Sequence, residues 1–281
     1  GLFQLRKELG VFANIRPVAV FPTLIKKSPL KEAVLRGTDF VIYRELTGGI
    51  YCGDHILSAD GTQATDVASY TENDISKIAH LAFKAARKRR NKLTLIDKSN
   101  VLETSRLWRR VVKRISESYP DVELECIYLH NAIMRMILNP SKFDVILAAN
   151  LFGDIISDQA SVIGGSIGLL PSASIGGGKA IFEPIHGSYP QAKGKDIANP
   201  IATILSAAML LQHFGLEEES RAVVSAVNKS FKKNIVTPDI NTKSKFGTNN
   251  VGDFIASNIV DTDDTLNMNY ENIGLGKSTI I

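Results

Sequence analysis

Residues 144–158 have the sequence DVILAANLFGDIISD. The run of apolar residues after Asp144 is short and contains β-branched side chains, which predicts a strand buried on both faces of a sheet. This run leads directly into a segment where Asp154 and Asp158 lie four residues apart, a spacing that places both carboxylates on one face of a helix. Such a strand-to-helix junction is typical of α/β proteins, whose open sheets bind ligands at the carboxyl ends of the strands.

The segments on either side of this junction continue the alternation of strands and helices. Predicted strands cover residues 40–43, 92–96 and 122–128, and predicted helices cover residues 71–90, 107–115 and 199–215. In the third of these strands the apolar residues alternate with Glu123 and Glu125, so we expect one wet face. Asn199 and Pro200 are predicted as the cap and the first residue of the last helix. The order predicts an α/β fold with helices on a largely buried sheet.

The composition excludes several classes of protein. The chain has 281 residues, of which 44% are hydrophobic and 22% charged, and its formal net charge is +4. These values exclude a fibre, a disordered chain and a dedicated nucleic-acid binder. No apolar run reaches the ~18 residues of a membrane span, and no secretory signal is visible. We therefore expect neither a nucleic-acid nor a membrane partner, and we interpret the basic residues at 84–90 as complements to a helix dipole.

The cysteines and the ends of the chain give three further expectations. Cys52 and Cys126 are predicted to be free thiols, which suits a reducing compartment such as the cytoplasm or an organellar matrix. Residues 1–10 have apolar residues at helical spacing and a stop at Gly10, but no N-cap and no initiator Met precede them. The chain is therefore expected to begin inside an element, and the polar segment 261–281 is expected to form a flexible tail.

Charged side chains near the predicted strand ends are the first candidates for chemistry. Carboxylates at the spacing of Asp154 and Asp158 repel each other, so the pair either complements a helix dipole or supplies oxygen ligands to Mg²⁺ or Mn²⁺. Arg6, Arg16 and Arg44 follow a helical turn, precede a proline and end a strand, positions at which a side chain is held in place. Their guanidinium groups either converge on a di- or tricarboxylate or contribute to surface solubility.

Tyr51 and Lys98 are candidates for proton transfer. Each is either a proton carrier with a shifted pKa or a structural residue. The glycine-rich stretch 174–180 lacks parts of a phosphate-binding P-loop, and no G-x-G-x-x-G follows a predicted strand, so a standard Rossmann motif is absent. His186 lies in the polar turn EPIHGS, residues 183–188, where it is either structural or a ligand-binding residue.

Seven motifs occur in collinear order along the chain. They are LRK (5–7), NIRP (14–17), RELTGGIY (44–51), DKSNVL (97–102), NLFGDIISD (150–158), GLLPSA (168–173) and HGS (186–188). Together they resemble the isocitrate/isopropylmalate dehydrogenase family of β-decarboxylating dehydrogenases over residues 1 to about 259.

The resemblance implies a three-layer α/β fold with two domains around a central cleft. Residues 1–11 and 165–260 would form the large, nucleotide-bearing domain, and residues 12–164 would form the small domain with the dimer interface. The first quarter of the family's sequence, which supplies early strands of the large domain, has no counterpart in this sequence. The implied assembly is a homodimer whose active sites are shared between subunits.

The resemblance also implies the family's chemistry, in which a 2-hydroxy acid is oxidised by NAD and then loses CO₂. The implied roles are carboxylate binding for Arg6, Arg16 and Arg44, binding of Mg²⁺ or Mn²⁺ for Asp154 and Asp158, and proton transfer for Tyr51 and for Lys98, which would reach into the neighbouring subunit. Leu2 and Phe3 match the pocket for the acid's side chain, where an apolar pair suits an isopropyl group. We therefore expect oxidative decarboxylation of (2R,3S)-3-isopropylmalate to 2-oxoisocaproate, a step of leucine biosynthesis.

The implied contacts to NAD come from the second half of the chain. They involve Gly168, Ser172, His186, Gly187, Gln191 and Asn199. Gln191 and Ala192 replace an Asp-Ile pair of NAD-specific members, so we expect NAD with poor discrimination against NADP.

A second departure from the family's pattern is His130, which stands where the family has an aspartate that completes the partner's metal site. A weaker Mg²⁺ site with a tilt towards Mn²⁺ is therefore expected. The alternatives are another alkylmalate, isocitrate or tartrate as substrate, or a non-catalytic paralogue.

Overall fold

The computed structural model describes residues 1–259, and the predicted tail at 261–281 lies outside the described residues. Within this range the strands are β1 (Val11–Ala19), β2 (Asp39–Glu45), β3 (His55–Leu57), β4 (Ala64–Asp66), β5 (Lys92–Asp97), β6 (Glu123–Tyr128), β7 (Val145–Ala148), β8 (Pro171–Gly176) and β9 (Lys179–Pro184). The α-helices are α1 (Leu2–Leu9), α2 (Glu32–Leu35), α3 (Glu72–Arg87), α4 (Glu103–Ser116), α5 (Leu129–Leu138), α6 (Asn150–Ile163), α7 (Ile201–His213), α8 (Glu217–Lys232) and α9 (Thr248–Ser257).

Seven of the strands form one mixed sheet in the order β6-β5-β7-β2-β1-β8-β9. The first four strands of this order are mutually parallel, whereas β1, β8 and β9 extend the sheet by antiparallel pairs. Strands β3 and β4 form a separate two-stranded antiparallel sheet. Because the parallel strands end at the same edge, Arg44, Lys98 and Asn150 all lie at the carboxyl edge of the sheet.

Helices cover both faces of the parallel block, which confirms the predicted three-layer α/β fold. On one face α3 and α4 bury side chains such as Phe83 and Trp108 against β5 and β7. On the other face α5 and α6 bury Met136 and Ile156. A third core joins α7, α8 and α9. Since β1 pairs with β8, the sheet runs without interruption across residues 12–164 and the flanking segments, and the division into two domains stays a prediction.

The junction at residues 144–158 is a buried strand followed by a helix, as predicted. All four residues of β7 are buried, because parallel neighbours pair with both of its edges. Helix α6 begins at Asn150, so Asp154 lies in its second turn and Asp158 in its third. Neither carboxylate lies in the first turn, where the helix dipole acts, and the dipole interpretation is excluded.

Two other expectations differ from the structure in detail, and a third is confirmed. The β6 face predicted to be wet is exposed at Glu123, but Ile127 on that face is buried because α5 packs over it. Helix α7 begins at Ile201, one residue after Pro200, and the Asn199 side chain accepts the Ile201 N–H at 3.0 Å. Both cysteines are free thiols, as predicted. Within residues 1–259, every helix is too short or too polar to cross a membrane.

The basic run at residues 84–90 complements the helix dipole in part: Lys84 and Arg87 lie in the last turn of α3, whereas Arg89 and Arg90 form ion pairs beyond it. Helix α3 ends at Arg87, because the chain turns into β5 through Asn91, whose φ is 57°. Arg89 therefore lies beyond the helix, where its guanidinium donates to Asp144 at 2.7 Å and to Asp39 at 2.8 Å. Arg87 pairs with Asp121. These contacts tie α3 to the amino edge of the sheet.

Candidate active site

Two neighbouring strands and one helix bring two arginines onto one carboxylate. Arg16 on β1 and Arg44 on β2 are both buried, and the strands that carry them are paired antiparallel. Arg44 Nη1 donates a hydrogen bond to Asp154 Oδ1, and Arg16 Nη1 lies 3.5 Å from the same oxygen. Asp158 follows one turn later on α6. Arg16, Arg44 and the two carboxylates of α6 therefore form one cluster within the chain, and the binding of a di- or tricarboxylate by the arginines stays a prediction.

A glycine permits helix α6 to lie this close to β2. A Cβ atom on Gly153 would stand 2.8 Å from both Cβ and Cγ of Arg44, closer than such atoms approach in proteins. Residue 153 precedes Asp154, so the close contact sets the position of the carboxylate relative to the arginine. The glycine in the motif NLFGDIISD is thus explained by packing.

Two buried asparagines hold the arginines from behind. Asn150 Oδ1 accepts hydrogen bonds from Arg44 Nε at 3.1 Å and Nη2 at 2.9 Å, and its amide donates to the Gly48 carbonyl. Asn14 Oδ1 accepts a 2.5 Å hydrogen bond from Arg16 Nε, and its amide donates to Ser174 Oγ at 2.9 Å. Neither asparagine was identified as a site residue from the sequence, although each lies in one of the seven motifs.

The third arginine has a different environment. Arg6 on α1 donates from Nη2 to Glu183 Oε1 at 2.7 Å, and its buried Nε has no hydrogen-bond partner among the described residues. Glu183 lies near the end of the edge strand β9 and was also missed from the sequence. On the same helix Leu2 is 42% exposed, which suits a contact to an apolar group of a ligand. The side chain of Phe3 lies outside what the structure describes.

Tyr51 joins the cluster through its hydroxyl group, which donates to Asp154 Oδ2 at 3.3 Å. The Arg44 guanidinium lies 5.8 Å from the centre of its ring. The preceding turn is set by Gly49, whose φ is 80°, and by the Tyr70 ring, which lies directly against Gly48 and Gly49. Glu45 fixes the same turn, since its buried carboxylate accepts the N–H groups of Thr47 and Gly48.

Burial and neighbouring charges shift several pKa values in this cluster. Burial, followed by the nearby Arg44, lowers the pKa of Arg16 to about 10. Burial, followed by the charge of Asp154, raises the pKa of Tyr51, so its hydroxyl keeps its proton at neutral pH. Burial and the same carboxylate also raise the pKa of Asp158. A divalent cation between the two carboxylates would relieve their repulsion.

The donor set of this cluster fits Mg²⁺ or Mn²⁺. Asp154 and Asp158 offer carboxylate oxygens from adjacent turns of one helix, and hard divalent cations prefer such ligands. Among residues 1–259, no group of three His, Cys, Asp or Glu side chains is placed to hold a metal. The two carboxylates would therefore be only part of a metal site, and further oxygens would have to come from a ligand, water or another subunit.

Lys98 and His130 form a separate pair at the carboxyl edge of the sheet. Lys98 follows β5 and His130 lies in the first turn of α5, and Lys98 Nζ is 3.0 Å from His130 Nδ1. The His130 ring stacks on Tyr128, with ring centres 5.8 Å apart. Asp97, next to Lys98, is fixed by a two-point hydrogen bond from Arg109.

The chain matches the model of one protein family, described as isocitrate/isopropylmalate dehydrogenase, over residues 1–255. The chain belongs to the isocitrate/isopropylmalate dehydrogenase family. It is 48% identical over 265 residues to the 3-isopropylmalate dehydrogenase of Aquifex aeolicus, and 50% identical over 261 residues to that of Wolinella succinogenes. Each alignment covers 92% of this chain and 73% of the relative.

Solved structures of the family have the same fold. The isocitrate dehydrogenase of Methylococcus capsulatus matches with a TM-score of 0.83 at 34% identity, covering 90% of this chain and 74% of that one. The TT0538 protein of Thermus thermophilus matches with a TM-score of 0.84 at 31% identity, covering 92% of this chain and 52% of that one. The predicted fold is thereby confirmed.

The residues expected to contact the family's dinucleotide lie around β8, β9 and the start of α7. Gly168 is needed because a Cβ atom there would stand 2.9 Å from Asn199, whose amide is fixed by Asp239. His186 Nδ1 lies 3.0 Å from the Gly187 carbonyl, and its buried Nε2 has no partner among the described residues. An orphaned polar atom beside an open glycine fits a nucleotide-binding surface.

Ser172 and Gln191, which are also predicted to contact the dinucleotide, lie in different surroundings. The Ser172 side chain is buried in the sheet and donates to the Glu183 carbonyl at 2.8 Å. Gln191 is exposed in a short 3₁₀ turn after Pro190. For the dinucleotide contacts as a set, the assignment stays a prediction.

Proposed function

We propose that this chain catalyses the NAD-dependent oxidative decarboxylation of (2R,3S)-3-isopropylmalate to 2-oxoisocaproate, a step of leucine biosynthesis. The observation that carries the proposal is the convergence of Arg16, Arg44 and the Tyr51 hydroxyl on Asp154. Membership in a family of dehydrogenases, and 48–50% identity to 3-isopropylmalate dehydrogenases, supports it.

The arginines bind and orient the acid. Arg16 and Arg44 both place Nη1 at Asp154 Oδ1, and guanidinium groups held side by side in this way would bind the carboxylates of a malate. Arg6 and the exposed Leu2 share one helix, so a carboxylate and an apolar substituent are bound by neighbouring turns of α1. An isopropyl group against Leu2 stabilises binding, whereas a third carboxylate would lie against an apolar side chain without a partner.

Asp154 and Asp158 are the residues that would hold Mg²⁺ or Mn²⁺, and Gly168, His186, Gly187 and Asn199 would hold NAD. The chemistry that these groups would supply when bound is Lewis-acid stabilisation of the oxygen at C2 by the metal and hydride acceptance by NAD⁺. The Tyr51 hydroxyl, protonated at neutral pH, is the acid that donates a proton to C3 after CO₂ has left. Lys98 would remove the proton of the C2 hydroxyl as a neutral amine, and the His130 ring, whose Nδ1 lies 3.0 Å from Lys98 Nζ, would hold the side chain in place.

We further propose that the protein is a homodimer with shared sites. Five large apolar side chains are exposed on the adjacent helices α5 and α6, and an apolar face of this kind marks a protein interface. They are Met134, Ile137, Leu138, Ile155 and Val162. Ile155 neighbours Asp154, and His130 begins the same helix as Met134, so a second copy packed on this face would bring the pair Lys98 and His130 towards the partner's carboxylates.

The test is steady-state NADH formation with 3-isopropylmalate, D-malate, isocitrate and tartrate, each with Mg²⁺ and with Mn²⁺. We expect the highest kcat/KM with 3-isopropylmalate and no turnover when both metals are removed by a chelator. The His130→Asp variant is measured beside the unmodified chain and is expected to lower the Mg²⁺ concentration needed for half-maximal rate. A higher kcat/KM with isocitrate than with 3-isopropylmalate would contradict the proposed role of Leu2. If the His130→Asp variant turns over substrate and the unmodified chain does not, the non-catalytic alternative is favoured for the natural sequence.

A further inference from the structure

The two arginines that contact Asp154 share one feature, which is an asparagine amide oxygen on the Nε side of the guanidinium. Arg16 is held there by the Asn14 amide oxygen and Arg44 by the Asn150 amide oxygen. Both asparagines are fully buried, and their amide nitrogens are also bonded, to Ser174 and to the Gly48 carbonyl. The orientation of each amide is therefore fixed, and its oxygen faces the arginine.

Other arginines of the same chain have carboxylates in this position. Arg89 Nε donates to Asp144 at 2.7 Å, and Arg109 Nε donates to Asp97 at 2.7 Å. These arginines tie α3 and α4 to the sheet, and their charge is compensated locally. The amide partners of Arg16 and Arg44 perform the same orienting task without adding a negative charge.

We propose that Asn14 and Asn150 are positioning residues that hold Arg16 and Arg44 by a neutral oxygen, so that no second negative charge is added beside Asp154 and the guanidinium groups remain able to bind the carboxylates of the substrate. The inference rests on the proposed function, in which these arginines bind a malate. A carboxylate at either position would form a two-point ion pair with the arginine and compete with the substrate. It would also repel the substrate's own carboxylates across a buried cleft, where charges are poorly screened.

The sharpest test is the isosteric substitution Asn14→Asp. It keeps the shape of the side chain, and the Ser174 hydroxyl, 2.9 Å away, is able to turn and donate to the new oxygen. The comparison variant is Asn14→Ala, which removes the orienting oxygen and adds no charge. The charge control is Asn249→Asp, which adds the same charge at an exposed position in the first turn of α9.

Binding of 3-isopropylmalate and of D-malate is measured by titration calorimetry on the full chain, without NAD and in a fixed salt concentration, and the midpoint of thermal unfolding is recorded for each variant. We expect Asn14→Asp to weaken the binding of both acids about tenfold or more. Asn14→Ala is expected to weaken binding less, although it lowers the unfolding midpoint more because it leaves a cavity. Asn249→Asp is expected to bind as the unmodified chain does.

The relative losses of binding affinity in the two Asn14 variants distinguish an effect of the added charge from a purely structural role of the residue. A residue with only a structural role would make Asn14→Ala the more damaging variant in both measurements, and that result overturns the inference. Unchanged binding by Asn14→Asp overturns it as well, while the proposed function stands. If the unmodified chain binds D-malate but not 3-isopropylmalate, the proposed function fails and the inference is judged on D-malate. A chain that binds neither acid overturns both.

Discussion

Tyr51 is the residue that the proposed function makes the proton donor. Its hydroxyl lies 3.3 Å from Asp154 Oδ2, and the residue is 37% exposed, so it is accessible from solvent while remaining bonded to the carboxylate cluster. Removal of the hydroxyl in Tyr51→Phe leaves the ring in place but removes the acid. We expect kcat for 3-isopropylmalate to fall about a hundredfold with little change in KM.

The measurement for Tyr51→Phe is the steady-state rate of NADH formation. Cys52→Ser is the neighbouring control, because the Cys52 thiol makes only long contacts, at 3.5 Å to the Leu46 carbonyl and 3.9 Å to Asn150. Its kcat is expected to stay within about twofold of the unmodified value. A Tyr51→Phe variant with unchanged kcat would assign the proton transfer to another group.

Glu45 gives a prediction about pH. Burial raises the pKa of this carboxyl group even though Thr47 and Gly48 donate hydrogen bonds to it. A carboxyl group with a raised pKa in the folded state binds its proton more tightly there than in the unfolded chain, so its contribution to stability falls as pH rises above about 4.5 and levels off beyond the folded-state pKa.

The Glu45 contribution is isolated by comparison with Glu45→Gln. Chemical unfolding of both proteins between about pH 4 and pH 8 gives the difference in their free energies of unfolding. We expect the unmodified chain to lose stability relative to Glu45→Gln as pH rises through this range. A difference that is flat with pH, or that grows in favour of the unmodified chain, would contradict the raised pKa.

At the scale of elements, the contact between α6 and β2 is what places the carboxylates at the arginines. A methyl group on Gly153 would meet Cβ and Cγ of Arg44 at 2.8 Å, atoms too near the strand backbone to move freely. Gly153→Ala is therefore expected to push α6 away from β2. We expect a loss of ~1–3 kcal/mol in the free energy of unfolding and a higher KM for the substrate.

A matched control exists in another helix. Gly252 lies inside α9, and a Cβ atom there would have no neighbour within 4 Å. Gly252→Ala is therefore expected to stabilise the protein by ~0.5–1 kcal/mol, since alanine loses less entropy in a helix, with KM unchanged. The two variants are compared by urea unfolding and steady-state kinetics. If both substitutions change the free energy of unfolding and KM equally, the contact between α6 and β2 tolerates a methyl group at residue 153, which contradicts the prediction.

Across the whole molecule, local sequence patterns predicted the helices and strands, whereas contacts between distant parts of the chain bring the side chains of the site together. The apolar run before Asn150 and the spacing of Asp154 and Asp158 are local features, and they predicted β7 and α6. The partners of the arginines are not local: Glu183 lies 177 residues from Arg6, and Asn150 lies 106 residues from Arg44. Periodicity carries no information about such pairs, so the sequence identified the arginines but not the side chains that hold them.

The separation of the site into two clusters within one chain has a consequence for the assembled molecule. Tyr51 lies at Asp154, whereas Lys98 is paired with His130 at the start of α5, beside the exposed apolar face. In a symmetric dimer formed through this face, each active site would take Tyr51 from one subunit and Lys98 from the other. Two variants that are inactive for different reasons would then complement each other.

Mixing Tyr51→Phe with Lys98→Ala tests this arrangement. In a mixed dimer, one site would carry both changes and the other would carry neither, so half of its sites would be intact. Since random exchange makes half of the dimers mixed, we expect recovery of about a quarter of the unmodified activity after the two proteins are unfolded and refolded together. Refolding each variant alone is the control and is expected to restore none. Recovery would be absent if both residues served a site within one subunit, because every site would then lack one of them. Ile137 is exposed on α5 and would lie in the dimer interface. Adding Ile137→Asp to both variants is expected to abolish the recovery and to give a monomer by light scattering, because a charge buried in the interface opposes the dimer.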